Sequence, residues 1–315
     1  MSLRIVFMGT AEFACASLQA LAGSPHFEVV GVVTQPDRPK GRELKLQPSP
    51  VKQIALAAGL PVWQPERARQ PEFLAQLAAL NLDLLVVAAY GQILPQAMLD
   101  LPTHGALNVH ASLLPRYRGA APIQWAILDN ETETGVTIMK MAAGLDTGDI
   151  LSQRATTILP EDNSSTLHDR LAAMGAELIG PTIMDYTAGR IAPQPQSEAL
   201  STYARKITKE DGRLDWTLPA RTLWNRTRAF TPWPGAFTTI PDGAKRRLLK
   251  ILRVAVEENR TGAPGEIIQA DKSKFVVACG EGALLIQELQ LEGGRRMTAA
   301  ELLGGHAFSV GTKFG

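Results

Sequence analysis

An asparagine and a histidine stand close together at the end of an apolar run, Ala106 to His110. Asn108 and His110 share one face of an extended chain, because alternate residues of a strand point the same way. A later glycine-bounded loop adds two carboxylates, Asp146 and Asp149, either of which could instead cap its turn. An amide, an imidazole and a carboxylate suit attack on a carbonyl, since donors stabilise the oxyanion and a histidine–carboxylate pair manages the proton of the nucleophile. The set indicates direct transfer of a group to an amine or to water.

Short apolar runs that alternate with helical patterns must position these residues. Such runs are typical of a mostly parallel sheet covered by helices, an α/β fold. Ligands of open α/β sheets lie beyond the carboxyl ends of the strands, where Asn108 and His110 fall. If neighbouring strands are parallel, the run 135–141 brings the loop that follows it beside them. We predict strands at 4–8, 29–33, 84–89, 106–110 and 135–141, and helices at 11–22, 51–58 and 71–80.

The pattern changes after a polar stretch that contains Pro193 and Pro195. One helix candidate, 220–230, is followed by short apolar runs with glycine and proline between them, which favours a small antiparallel barrel or sandwich. The runs are 236–240, 248–256, 265–269, 275–279 and 283–289. We therefore predict a catalytic domain over residues 1–189, a linker over 190–207 and a β-barrel domain over 208–315.

Composition and missing motifs exclude several classes of protein. The 315 residues are 45% hydrophobic and 20% charged, the balance of a folded globular chain. No run approaches the roughly 20 apolar residues of a spanning helix, and two distant cysteines indicate neither a disulfide framework nor a zinc site. The glycine-rich nucleotide motifs, the serine-hydrolase elbow and the zinc-protease motif are missing from the sequence. We expect a soluble, cytoplasmic protein.

Charge is distributed unevenly along the chain. Residues 1–200 carry 14 Lys+Arg against 19 Asp+Glu, whereas residues 201–315 carry 18 against 12. This asymmetry is consistent with an anionic partner for the C-terminal part, and equally with an unevenly charged solvated surface.

Three separated segments carry the pattern of a known family. They occur in the order Asn108-x-His110-x-Ser-Leu-Leu-Pro, Glu133-Thr-Gly-Val-Thr-Ile-Met and Gly-Leu-Asp146-Thr-Gly-Asp. The chain thereby resembles the 10-formyltetrahydrofolate-dependent formyltransferases. The resemblance is stronger still to the members that act on methionyl-tRNA, and it covers nearly the whole chain. It includes Thr34-Gln-Pro-Asp-Arg-Pro, Tyr90-Gly-x-Ile-Leu-Pro and Arg228-Ala-Phe-x-Pro-Trp-Pro.

The resemblance implies a reaction and the residues that perform it. The formyl group of 10-formyltetrahydrofolate, a consumed cosubstrate that calls for no metal, would pass to the α-amino group of methionyl initiator tRNA. Asn108 and protonated His110 would stabilise the tetrahedral oxyanion, and Asp146 would hold His110 and assist proton removal through water. The implied folds are a Rossmann-like first domain and an OB-fold barrel. The segment that matches the family's folate-lining residues is Ser112, Leu113, Leu114 and Pro115.

The resemblance also implies a nucleic-acid interface, while the sequence does not give the oligomeric state, for which we expect a monomer. The loop 35–50 corresponds to an insertion that grips the acceptor stem, and Arg42 is its main candidate because a guanidinium contacts phosphates and base edges. Glu43 and Leu44 stand where many members have glycine and lysine, so this loop is less basic than usual. The other candidate contacts are basic residues of the loop and the barrel: Arg38, Lys40, Lys45, Lys245, Arg246 and Arg247.

Three other functions stay open from the sequence. A formyltransferase with the same catalytic domain could act on an amino-sugar nucleotide, although a small acceptor needs no cationic track. A nucleic-acid-binding protein with an inert α/β domain would not depend on Asn108, His110 and Asp146. A hydrolase of formylfolate would use these residues but would leave the basic segments without a role.

Overall fold

The computed structural model describes residues 2–40, 45–242, 245–271, 274–306 and 308–315. The chain forms two compact units that interleave along the sequence. The first contains the residues up to Pro122, Glu133–Thr157 and His168–Ala204; the second contains Ile123–Thr132, Ile158–Leu167 and Arg205–Gly315. Part of the stretch predicted as a linker, residues 194–204, makes backbone hydrogen bonds within the first unit.

Each strand and helix predicted in the first half of the chain has a counterpart in the structure. Up to residue 204 the elements are β1 (Leu3–Gly9), α1 (Phe13–Ala22), β2 (Phe27–Val33), β3 (Arg38–Lys40), β4 (Lys45–Gln47), α2 (Pro50–Ala57), β5 (Val62–Trp63), α3 (Pro71–Ala78), β6 (Leu84–Ala88), α4 (Gln96–Leu99), β7 (Ala106–His110), β8 (Arg118–Gly119), α5 (Pro122–Leu128), β9 (Glu133–Lys140), β10 (Ile150–Thr157), α6 (Ser164–Thr187) and β11 (Tyr203–Ala204). The later elements are α7 (Ala220–Ala229), β12 (Ala236–Asp242), β13 (Lys245–Glu257), β14 (Ile267–Ala270), β15 (Phe275–Ala278), β16 (Ala283–Leu291), β17 (Arg296–Thr298) and α8 (Ala299–Gly305).

The first unit is organised by a sheet with the strand order β10, β9, β7, β6, β1, β2, β5. The strands from β7 to β5 are parallel, and every residue of β6 and β7 is buried, as expected of the continuous apolar run of β6. β9 is antiparallel to β7, with Thr137 opposite His110 and Lys140 opposite Leu107. The expectation that the run 135–141 lies parallel to its neighbour is therefore wrong. β9 therefore begins at the edge of the sheet where β7 ends.

The second unit is built on an antiparallel sheet with the order β12, β13, β16, β15, β14, and β17 pairs with β16. The C-terminal tail joins the two edge strands. Ile267 of β14 exchanges backbone hydrogen bonds of 2.9 Å with Gly311 and Thr312, and Gly315 donates to Thr239 of β12 at 3.1 Å. The tail thus closes the sheet and covers its edges. The predicted fold class, a mostly parallel α/β domain followed by a β-barrel domain, is confirmed.

Within the described ranges, no helix is both long and apolar enough to cross a membrane.

Candidate active site

Strand β7 places Asn108 and His110 on one face at its carboxyl end. In the sheet, Asn108 lies between Val87 of β6 and Met139 of β9. Asn108 is 9% exposed and His110 is 6% exposed. Among the residues that the structure describes, the Asn108 amide has no hydrogen-bond partner. The amide is not among the fully enclosed side-chain atoms that lack a partner, so it keeps access to solvent and is open to a ligand.

The ring of His110 is oriented by a backbone carbonyl. Its Nε2 lies 2.9 Å from the carbonyl oxygen of Tyr117, which only accepts, so Nε2 carries the proton. Its Nδ1 faces Asp146 Oδ2 at 3.6 Å, a distance within ion-pair range but too long for a hydrogen bond. Nδ1 therefore carries a proton only when the ring is an imidazolium.

Asp146 reaches His110 by a different route from the one predicted. Since β9 is antiparallel to β7, its carboxyl end lies away from His110, and the loop 142–149 folds back along the sheet. Gly148 permits this return, because a Cβ at that position would overlap the carbonyl of Lys140. Asp146 adopts a left-handed conformation with φ 52°, and its Oδ2 accepts a 2.8 Å hydrogen bond from the Gly119 backbone N–H. The structure thus brings the imidazole and the carboxylate together.

A second layer of polar residues supports the Asp146 loop. Gln196 Nε2 donates to the carbonyls of Asp146 and Gly148 at 2.8 and 2.6 Å. Gln196 Oε1 accepts from the Nε of buried Arg118 at 3.0 Å, and the same guanidinium donates to both carboxylate oxygens of Glu198. Hydrogen bonds from Arg118 hold the pKa of Glu198 below its usual value.

Sequence reasoning missed this layer. Arg118 lies three residues beyond the Ser-Leu-Leu-Pro segment, and Gln196 and Glu198 lie in the stretch predicted as a linker. Gln196 is 50 residues from Asp146 in sequence, and no local pattern joins the two.

The predicted folate segment forms a turn that is fixed to β9. Thr137 Oγ1 donates to the Ser112 carbonyl at 2.6 Å and accepts from the Leu114 N–H at 3.1 Å. The side chains of Ser112 and Leu114 are buried, whereas Leu113 and Pro115 are partly exposed. Leu113 and Pro115 are thus the two with surface to offer a ligand, and a folate site here stays a prediction.

Most of the side chains predicted to contact nucleic acid on the loop 35–50 lie outside the described residues. Arg42 lies outside the described residues, as do the side chains of Lys40 and Lys45. β3 and β4 pair with each other in antiparallel fashion. Arg38 donates to Gln35 Oε1 at 3.4 Å.

Two of the predicted contacts on the barrel donate to its own backbone. Arg246 Nη2 donates to the carbonyl of Thr239 at 2.9 Å, and Arg247 Nη2 donates to the carbonyl of Glu292 at 2.8 Å. Lys245 and Arg247 alternate with Arg246 along β13, so the run does not present one cationic face. The whole second unit carries 18 Lys+Arg against 16 Asp+Glu, a weaker excess than residues 201–315 alone indicate.

The first domain has a mostly parallel sheet, with an amide and an imidazole at the end of β7 and a carboxylate on the loop 142–149 beside them. The second domain is a β-barrel. This combination is that of a two-domain enzyme that transfers a group from a carbonyl centre. Residues 3–183 match the family model described as formyl transferase, and residues 206–307 match the formyl transferase C-terminal domain. The chain belongs to the formyl transferase family.

Relatives share most of their length with this chain. It is 51% identical to the methionyl-tRNA formyltransferase of Geobacter sulfurreducens, over 99% of this chain and 97% of the relative. It is also 51% identical to the methionyl-tRNA formyltransferase of Thiobacillus denitrificans, over 99% of this chain and 100% of the relative. An N-formyltransferase from Helicobacter canadensis, solved with folinic acid and dTDP-3-aminofucose, superimposes with a TM-score of 0.66 at 19% identity, covering 94% of this chain and 100% of its own. The latter likeness concerns the fold alone.

Proposed function

We propose that this protein transfers the formyl group of 10-formyltetrahydrofolate to the α-amino group of methionyl initiator tRNA, giving N-formylmethionyl-tRNA for translation initiation. The observation that carries the proposal is the pair of buried His110 and partly buried Asp146 beside an Asn108 amide that has no hydrogen-bond partner among the described residues. Full-length relatives at 51% identity that are named methionyl-tRNA formyltransferase support the choice of acceptor.

The proposed chemistry is a direct transfer between two nitrogens. The amine nitrogen attacks the formyl carbon, and the carbonyl electron pair moves onto oxygen. The Asn108 amide and the Nδ1–H of imidazolium His110 stabilise this oxyanion in a site that excludes most water. The attacking nitrogen loses a proton through water to Asp146, the oxyanion collapses, and the bond from the formyl carbon to N10 of the folate breaks as that proton is passed on through water to N10. Asp146 also stabilises the imidazolium, 3.6 Å from its Nδ1.

The acceptor and the cellular setting are parts of the same proposal. The complex with dTDP-3-aminofucose is that of the Helicobacter canadensis N-formyltransferase, which is only 19% identical to this chain. Translation initiation places the reaction in the cytoplasm, and we expect the enzyme to act as a monomer. The tRNA contacts predicted at Arg42 and the other basic residues stay predictions.

Transfer of a labelled formyl group to three acceptors tests the proposal. We expect product with methionyl initiator tRNA, at least 100-fold less with a dTDP-linked amino sugar, and little formate release without an acceptor. Asn108→Ala and His110→Ala should each lower kcat by about 100-fold or more, because one oxyanion donor contributes on the order of 10²–10³ in rate. Transfer only to the amino sugar, or formate release at the same rate without tRNA, would contradict it.

A further inference from the structure

The loop that carries Asp146 is held by one side chain from outside the family pattern. We propose that Gln196 is a positioning residue that sets the place of Asp146 relative to His110. The inference rests on the function proposed above for its kinetic consequences. Its geometric basis is independent of the acceptor.

Both amide hydrogens of Gln196 are used on the loop. Nε2 donates to the Asp146 carbonyl at 2.8 Å and to the Gly148 carbonyl at 2.6 Å. A side-chain amide has two N–H donors, so this group draws two carbonyls of one turn to a single point. Asp146 is held there at φ 52°, a left-handed conformation that residues other than glycine keep only where their surroundings require it.

Gln196 is itself fixed in place. Its Oε1 accepts from Arg118 Nε at 3.0 Å, and Arg118, which is 7% exposed, also donates to both oxygens of Glu198 at 3.0 and 2.9 Å. Two residues earlier, Gln194 and Ile150 exchange backbone hydrogen bonds of 2.8 Å. The segment 194–198 is therefore bonded to the loop at Asp146 and Gly148 and to the start of β10 at Ile150.

The same short stretch of chain positions both members of the pair. Tyr117 accepts from His110, Arg118 holds Gln196, and the Gly119 N–H donates to Asp146 Oδ2. The carboxylate is thus located by Gly119, and the backbone of its loop by Gln196. If Gln196 is removed, the contact that still joins Asp146 to the stretch 117–119, among those described, is the Gly119 N–H bond to its carboxylate.

Replacement of Gln196 should lower turnover more than substrate binding. We expect Gln196→Ala to reduce kcat by about 10- to 100-fold, because a displacement of about 1 Å at a reacting group can cost on the order of 100-fold. The KM values for both substrates should stay within about threefold, since both donors of the side chain point at loop carbonyls. Gln196→Glu, which keeps the shape but sets a carboxylate against those carbonyls, should lose at least as much.

Gln194→Ala is the matched control. It is the same residue type on the same segment, and its exposed side chain donates to the Ala192 carbonyl at 3.3 Å. We expect its kcat to stay within about twofold of the native value. A native kcat in Gln196→Ala, or equal losses in both variants, would overturn the inference.

A double-mutant cycle separates positioning from general support. If Gln196 acts through Asp146, then Gln196→Ala should change kcat by less than about threefold in an Asp146→Asn background. A full multiplicative loss in that background would overturn the inference.

A crystal structure of Gln196→Ala provides a test that needs no activity. We expect the Asp146 Oδ2 to His110 Nδ1 separation to exceed the native 3.6 Å. An unchanged separation would overturn the inference whatever the acceptor is. If the native enzyme transferred no formyl group to methionyl-tRNA, the proposed function would be contradicted. The measured Asp146–His110 separation would then still test the role of Gln196.

Discussion

Replacement of Asp146 by asparagine removes a charge and keeps an oxygen in the same place. An asparagine side chain can accept the Gly119 N–H bond as the carboxylate does, at 2.8 Å, and the residue tolerates a left-handed φ as well as aspartate does. The change therefore leaves the loop held and alters mainly the interaction with His110. It separates the electrostatic role of Asp146 from its structural one.

The expected effect follows from the distance between the two groups. Two unit charges 3.6 Å apart interact by about 4–5 kcal/mol at an effective dielectric constant of about 20. The side chains are 7% and 13% exposed, so solvent screens this pair only partly. Since each ~1.4 kcal/mol corresponds to tenfold in rate, and the amide dipole returns part of the interaction, we expect kcat to fall by about 10²–10³-fold. The KM values should change by less than about threefold.

The assay is the initial rate of labelled formyl transfer to methionyl-tRNA at saturating substrates. Asp149→Asn is the matched control, because it removes the same charge from the same loop, and its kcat should stay within about threefold. The midpoint of thermal unfolding should move by no more than a few degrees in either variant. A kcat for Asp146→Asn within fivefold of the native enzyme, or an equal loss in Asp149→Asn, would refute the electrostatic argument.

Three further substitutions test other parts of the molecule. Burial raises the pKa of Tyr90 to about 12, and its hydroxyl has no hydrogen-bond partner among the described residues. Tyr90→Phe should therefore leave the free energy of unfolding in urea unchanged or raise it by up to about 1 kcal/mol. A clear decrease in the free energy of unfolding would contradict this. Arg246→Ala removes donors to Thr239 and Gly315, so the barrel should lose about 0.5–1.5 kcal/mol of stability. Native stability with a tenfold weaker Kd in filter binding would favour a phosphate contact instead. Trp233 is 55% exposed and could stack on a tRNA base. If it does, Trp233→Ala should raise the Kd for tRNA by about 5- to 100-fold, and Trp233→Phe should keep most of the affinity. A Kd of Trp233→Ala within twofold of the native value would exclude such stacking.

The local pattern of the sequence determined the order of the strands and helices and the class of fold. The continuous apolar run 84–89 predicted a buried strand correctly, because burial on both faces leaves no room for alternation. The spacing of Asn108 and His110 also placed them on one face of β7, since side-chain direction in a strand depends only on the backbone.

The direction of β9, the return of the Asp146 loop and the residues that hold it were decided by tertiary structure alone. Parallel and antiparallel strands buried in the same sheet can have the same apolar run, so the sequence of 135–141 did not reveal that β9 opposes β7. Gln196 and Arg118 meet across 78 residues, and Arg246 donates to the chain terminus across 69. Neither contact leaves a mark on the local periodicity of its segments. Polar side chains meet only after long stretches of chain have folded back on themselves. For this reason Gln196, from the stretch predicted as a linker, bonds to the candidate site, and Arg246, a predicted tRNA contact, bonds to the backbone of the barrel.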